Sequence, residues 1–97
     1  MLESKTFALD WDDTFTADPD LWTEFIKLAK SRGHTVVIVT ARPESSMDNP
    51  RAFAKRMGIE AIATDGKPKI RACDDAGLLV NIWIDDLPGL LFSNVEY

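Results

Sequence analysis

The stretch Thr6-Phe7-Ala8-Leu9-Asp10-Trp11-Asp12-Asp13-Thr14 decides the fold. A short apolar run passes without a break into three carboxylates and a hydroxyl. A half-exposed strand alternates apolar and polar residues, whereas a strand covered on both faces is continuously apolar and ends at turn residues. Thr6–Leu9 has the second pattern, and it recurs. Thr35–Val39 (TVVIV) is β-branched and almost wholly apolar and runs into Thr40. Ile59–Ala63 is a third strand. Leu79–Ile84 is a fourth and ends in Asp85-Asp86.

Helical segments fill the gaps. Asp18 can cap a helix that has Pro19 at its first position and Gly33 just past its end. Leu21, Phe25 and Leu28, flanked by Trp22, Ile26 and Ala29, make its apolar stripe. Asn49-Pro50 opens a second helix, closed by Gly58. Pro68 or Lys69 opens a third, closed by Gly77. Strands alternating with helices through right-handed crossovers predict an α/β fold: a three-layer, Rossmann-like parallel sheet of four or five strands with helices on both faces. The tail Leu87–Tyr97 is a fifth strand, a packed segment or a subunit contact, with packing on the same core favoured.

The chain has 97 residues, expected to form one domain over 1–97 without a cap. Eleven basic against 16 acidic residues give a net charge of −5, which excludes an extended nucleic-acid track or an anionic membrane surface. A single cysteine excludes an intrachain disulfide and suits a reducing cytoplasm. No apolar leader is visible in Met1–Asp10, and no run is long enough to span a bilayer. Cys73 and Trp83 are expected in the core, and His34 in a helix-to-strand turn without a functional role.

In an open parallel sheet, ligands bind at the carboxyl ends of the strands. That edge collects Asp10, Asp12, Asp13 and Thr14 from the first strand, Thr40 and Arg42 from the second, Lys67 and Lys69 from the loop after the third, and Asp85 and Asp86 from the fourth. Each has a plain structural reading: acidic turn, backbone-bonding hydroxyl, solvated lysine. The paired acids after a buried strand fit that reading least. Clustered carboxylates repel and raise one another's pKa, which a hard divalent cation relieves; all-oxygen ligation points to Mg²⁺. One cysteine and one histidine do not build a usual zinc site. Carboxylates with Mg²⁺, a threonine hydroxyl and a lysine are equipment for a phosphoryl group. An EF-hand loop is excluded, because Phe15 and Leu21 stand where Gly and Glu are required. A receiver domain needs its acceptor aspartate at mid-chain, where Thr40 stands.

The order of these pieces resembles the haloacid dehalogenase superfamily of phosphohydrolases. Asp10-Trp11-Asp12-Asp13-Thr14 is similar to its first motif, Val36–Thr40 to its second, the lysine at the third helix to its third, and Asp85-Asp86 to its fourth. Asp13 stands where many members have Gly. The resemblance spans about Lys5 to Pro88, and the short segment after the first motif and the lack of a long insert after the second resemble cap-less members. It implies that Asp10 is the nucleophile forming an aspartyl-phosphate and Asp12 the general acid and base. Asp10, the main-chain carbonyl of Asp12, and Asp85 hold Mg²⁺, with Asp86 assisting. Thr40 and one lysine bind the phosphoryl oxygens. Lys69 is preferred over Lys67, which Pro68 biases to extended geometry. Arg42 contacts substrate or caps its loop. The implied function is a Mg²⁺-dependent cytoplasmic phosphatase acting on a phosphorylated small molecule or terminus. The alternatives are a phosphate- or nucleotide-binding module that turns over poorly and an interaction protein with an incidental acidic edge. With no cap, a homo-oligomer with the tail near its interface is expected.

Overall fold

A computed structural model of the chain describes residues 3–93. Its strands are β1 (Thr6–Leu9), β2 (Thr35–Thr40), β3 (Glu60–Ala63) and β4 (Ile82–Ile84), and its helices α1 (Pro19–Ser31), α2 (Asp48–Met57) and α3 (Lys69–Asp75). The strands form one all-parallel sheet in the order β3-β2-β1-β4. The amino-terminal strand is therefore central, with β2 on one side and β4 on the other.

The helix boundaries follow the sequence punctuation. The Asp18 carboxylate accepts the Leu21 N–H at 3.2 Å, with Pro19 at the first helical position. α2 begins at Asp48, just before the expected Asn49-Pro50. It ends at Gly58, whose φ of 70° is a left-handed geometry that glycine adopts without a Cβ clash. The Lys30 ammonium of α1 donates to the carbonyls of Met57 at 2.6 Å and Gly58 at 3.4 Å. It thus satisfies the end of α2, where a positive charge also complements the helix dipole.

Alternate strand residues enter two separate clusters, as a period of two requires. Leu9, Val36 and Ile38 pack with Ile26 and Ala29 of α1 and Phe53 of α2. Ala8, Val37 and Val39 pack with Cys73 of α3, with partly buried Ile62 and Trp83 beside them. Beyond β1, Trp11 stacks on Phe15 at 4.4 Å between ring centroids, and Phe15 meets Phe53 at 4.5 Å. This aromatic group pins the turn after β1 to α2.

One expectation is corrected. The fourth strand is shorter than Leu79–Ile84. β1 begins at Thr6, so residues 79–80 have no ladder to join. At residue 81 the Asn81 side chain accepts the Thr6 N–H at 2.8 Å in place of a main-chain carbonyl. Leu79 is left 78% exposed. Among the described residues the tail takes the favoured packed form and no fifth strand. Pro88–Leu91 is a 3-10 turn against α3 that buries Leu91 and leaves Phe92 exposed. The expected contribution of Val95 and Tyr97 lies outside the described residues. No helix among the described residues is long and apolar enough to cross a membrane.

Candidate functional site

Asp10 stands one residue past β1. Its N–H donates to the Ile84 carbonyl at 2.9 Å, continuing the β1–β4 ladder, and its carbonyl accepts the Phe15 N–H at 3.2 Å. Asp10 and Asp85 are thereby the first residues past two adjacent strand ends. Between them comes Lys69, the first residue of α3. Its ammonium lies 2.7 Å from Asp10 Oδ1 and 2.5 Å from Asp85 Oδ2. The Lys69 side chain is 1% exposed and that of Asp85 3%. A lysine that deeply buried needs paired charges, and two carboxylates supply them. Asp85 is further fixed because its Oδ1 accepts the Leu87 N–H at 2.9 Å.

Asp86 completes an acidic trio. One carboxylate oxygen from each of Asp10, Asp85 and Asp86 lies within 4.8 Å of the others. The Thr14 hydroxyl is 3.0 Å from both Asp10 Oδ2 and Asp86 Oδ1, and it accepts the Asp86 N–H at 3.2 Å. It has one proton for two carboxylates. Burial pushes the Asp10 carboxyl up to about 6, the neighbouring Asp86 carboxylate pushes the same way, and Lys69 opposes both. Asp86 moves in the other direction: its hydrogen bond with Asp10 holds it below the usual carboxylate range. Below about pH 6 and without a bound cation, the first proton taken up by this cluster therefore sits on Asp10. Three carboxylates facing one ammonium are a donor set that suits a hard cation with oxygen ligands.

The turn that carries Asp12 and Asp13 runs over Trp11–Phe15. Asp12 is extended (φ −70°, ψ 132°), and Asp13 has a φ of 62°. That left-handed geometry favours Gly and tolerates Asp, and the Asp13 N–H is held by Thr16 Oγ1 at 2.9 Å. The Asp12 side chain stays outside the acidic trio. Arg42 binds it through both oxygens, Nε to Oδ2 at 2.9 Å and Nη2 to Oδ1 at 2.8 Å.

Thr40 is fully buried at the end of β2, where its hydroxyl accepts the Arg42 N–H at 3.3 Å and its carbonyl the Thr64 N–H at 2.9 Å. Lys67 does not join the site. Its ammonium pairs with Asp75 at 2.9 Å on an exposed surface, because Pro68 directs the chain away before α3 begins. Two residues given no role from sequence belong here. Thr14 bridges the carboxylates. Thr64, 1% exposed, has a hydroxyl with no hydrogen-bond partner among the described residues. Its place straight after an apolar strand, as with Thr40, is the signal that marks it.

No family model, curated protein or solved structure matches the chain.

Proposed function

We propose that this chain is a Mg²⁺-dependent phosphomonoester phosphohydrolase of the haloacid dehalogenase type, built as a cap-less three-layer α/β domain, with Asp10 as nucleophile. The observation that carries this reading is the Lys69 ammonium, buried between Asp10 and Asp85 at the ends of adjacent strands. A buried cation between carboxylates adds little to stability over an apolar core, so its presence here fits a site for charged ligands.

In this reading an Asp10 carboxylate oxygen attacks phosphorus, the bond from phosphorus to the ester oxygen breaks, and Asp12 gives that oxygen its proton. Water then attacks the aspartyl-phosphate and loses a proton to Asp12. The acyl phosphate bond breaks, releasing inorganic phosphate and restoring Asp10. Lys69 and the Thr40 hydroxyl bind phosphoryl oxygens. Asp10, Asp85 and Asp86, with the Asp12 main-chain carbonyl, would hold Mg²⁺, which supplies charge neutralisation between carboxylates and phosphate. Beside the trio lies an open groove of about 360 Å³, lined in part by Thr14, Ala17, Leu21, Trp22 and Asp86. Asp13, Asp18 and Asp85 line it as well, so the groove is acidic and takes an anionic ester only with a cation bound; a small phosphate ester or a phosphorylated terminus as substrate, and a homo-oligomer, belong to the same proposal. The cytoplasm supplies both Mg²⁺ and reducing conditions for the lone cysteine.

The test is phosphate release from a panel of sugar phosphates, nucleotides, end-phosphorylated oligonucleotides and an aryl phosphate, with Mg²⁺ and with chelator. Release should need Mg²⁺, and Asp10→Asn should lose at least about a hundredfold while folding normally. Turnover of Asp10→Asn within about threefold of the parent overturns the assignment of the nucleophile.

A further inference from the structure

Arg42 is joined to Asp12 by a planar two-point fork, and its guanidinium is fixed at a third point, with Nη1 donating to the Ser46 carbonyl at 2.9 Å. Its main chain is tied to the end of β2 through Thr40 Oγ1. The Asp12 side chain, by contrast, stands on a turn and is 42% exposed. Two side-chain torsions of an aspartate at such a place are not set by packing. Here they are set by a guanidinium 30 residues away, anchored to a buried strand.

The geometry points to Arg42 as the positioning residue for Asp12: the fork fixes the place and plane of the carboxylate that, in the phosphohydrolase reading, exchanges protons with the ester oxygen once one arm of the fork opens. This inference rests on the phosphohydrolase reading and adds a role to it. It differs from direct binding of the phosphoryl group by Arg42, because it predicts loss confined to chemistry that needs Asp12. A bidentate fork fixes position and plane together, which a lysine ammonium does not do. Misplacing a proton donor by a fraction of an ångström is costly without any loss of substrate binding.

The experiment compares kcat/KM for an alkyl phosphate and 2,4-dinitrophenyl phosphate at saturating Mg²⁺. The alkoxide leaves only with a proton, whereas dinitrophenolate leaves without one. Parent, Arg42→Ala, Arg42→Lys, Asp12→Asn and the Arg42→Ala/Asp12→Asn double variant are measured, each checked by thermal unfolding. Asp12→Asn should lose on the order of a hundredfold more on the alkyl ester than on the aryl ester, the usual scale of general acid catalysis. Arg42→Ala should show the same bias, at least about tenfold, and should lose nothing further in the Asp12→Asn background. Arg42→Lys should fail to restore the alkyl ester, and it carries the test if Arg42→Ala does not fold. Equal loss on both esters, or additive loss in the double variant, overturns the positioning role and leaves the phosphatase reading standing. A parent protein inert toward both esters and toward the whole substrate panel overturns both.

Discussion

The Lys69 ammonium lies 2.7 Å from Asp10 Oδ1, although 59 residues separate the two in sequence. The same ammonium holds Asp85 at 2.5 Å. Removing the lysine leaves Asp10 and Asp85 buried without a counter-charge. Lys69→Ala should therefore cost about 3–5 kcal/mol in urea unfolding without Mg²⁺, the usual penalty for breaking a buried pair. Lys67→Ala removes an exposed pair and should cost less than about 1 kcal/mol. Equal costs would show that Lys69 is not the buried partner of the carboxylates.

The raised pKa of Asp10 sets how stability depends on pH. Folding takes up a proton at this site between 3.8, its unfolded value, and about 6. The Asp10 contribution to the stability of the metal-free protein is thus full below the lower value and is lost as pH rises through about 6. Asp86, shifted downward, acts with the opposite sign and only below about pH 4. Chemical denaturation across pH 4.5–7.5 with chelator should show the decline, and millimolar Mg²⁺ should reverse it above pH 6. A metal-free stability that rises over this range would contradict the placement of the proton on Asp10.

Asp85 and Asp86 should not be equivalent. Asp85 is held by Lys69 and the Leu87 N–H, while Asp86 is exposed and held by Thr14. A ligand fixed before the metal arrives loses less freedom on binding it. Isothermal titration with Mg²⁺ should show a larger loss of affinity for Asp85→Asn than for Asp86→Asn, with the reverse ranking refuting the argument.

How much of this was legible in the sequence differs from residue to residue. β1, β2 and the helix ends follow from local rules: β-branched runs, Asp18 before Pro19, Gly58 in a left-handed turn. The choice of Lys69 over Lys67 follows from Pro68 and from the place of Lys69 in the first turn of the third helix. The pairing of Arg42 with Asp12 does not, because the acidic edge offers Arg42 several carboxylates and only the turn geometry at Asp12 and Asp13 selects one. The length of the fourth strand was illegible because a strand lasts only as long as its partner. Leu79 and Val80 have suitable side chains, but β1 starts too late for them.

Thr64 provides a test independent of activity. A buried hydroxyl without a partner costs stability, and valine replaces it with a methyl of similar volume. Thr64→Val should raise the unfolding free energy of the ligand-free protein by about 1 kcal/mol or more. A comparable drop in stability would reveal a hydrogen bond to that hydroxyl.

The central position of β1 has a consequence for biosynthesis. Phe7 pairs with Ile82, so β1 leaves the ribosome well before β4, the strand that closes its second edge. A nascent chain reaching only β3 can join β1 to β2 and β2 to β3, but it carries neither Asp85 nor Asp86. The repulsion among the three carboxylates is therefore absent while most of the sheet forms and arises only when β4 docks. Such long-range parallel pairing is intrinsically slow. Docking of β4 and assembly of the acidic trio are then one event, and a cation that binds the trio would favour the completed sheet.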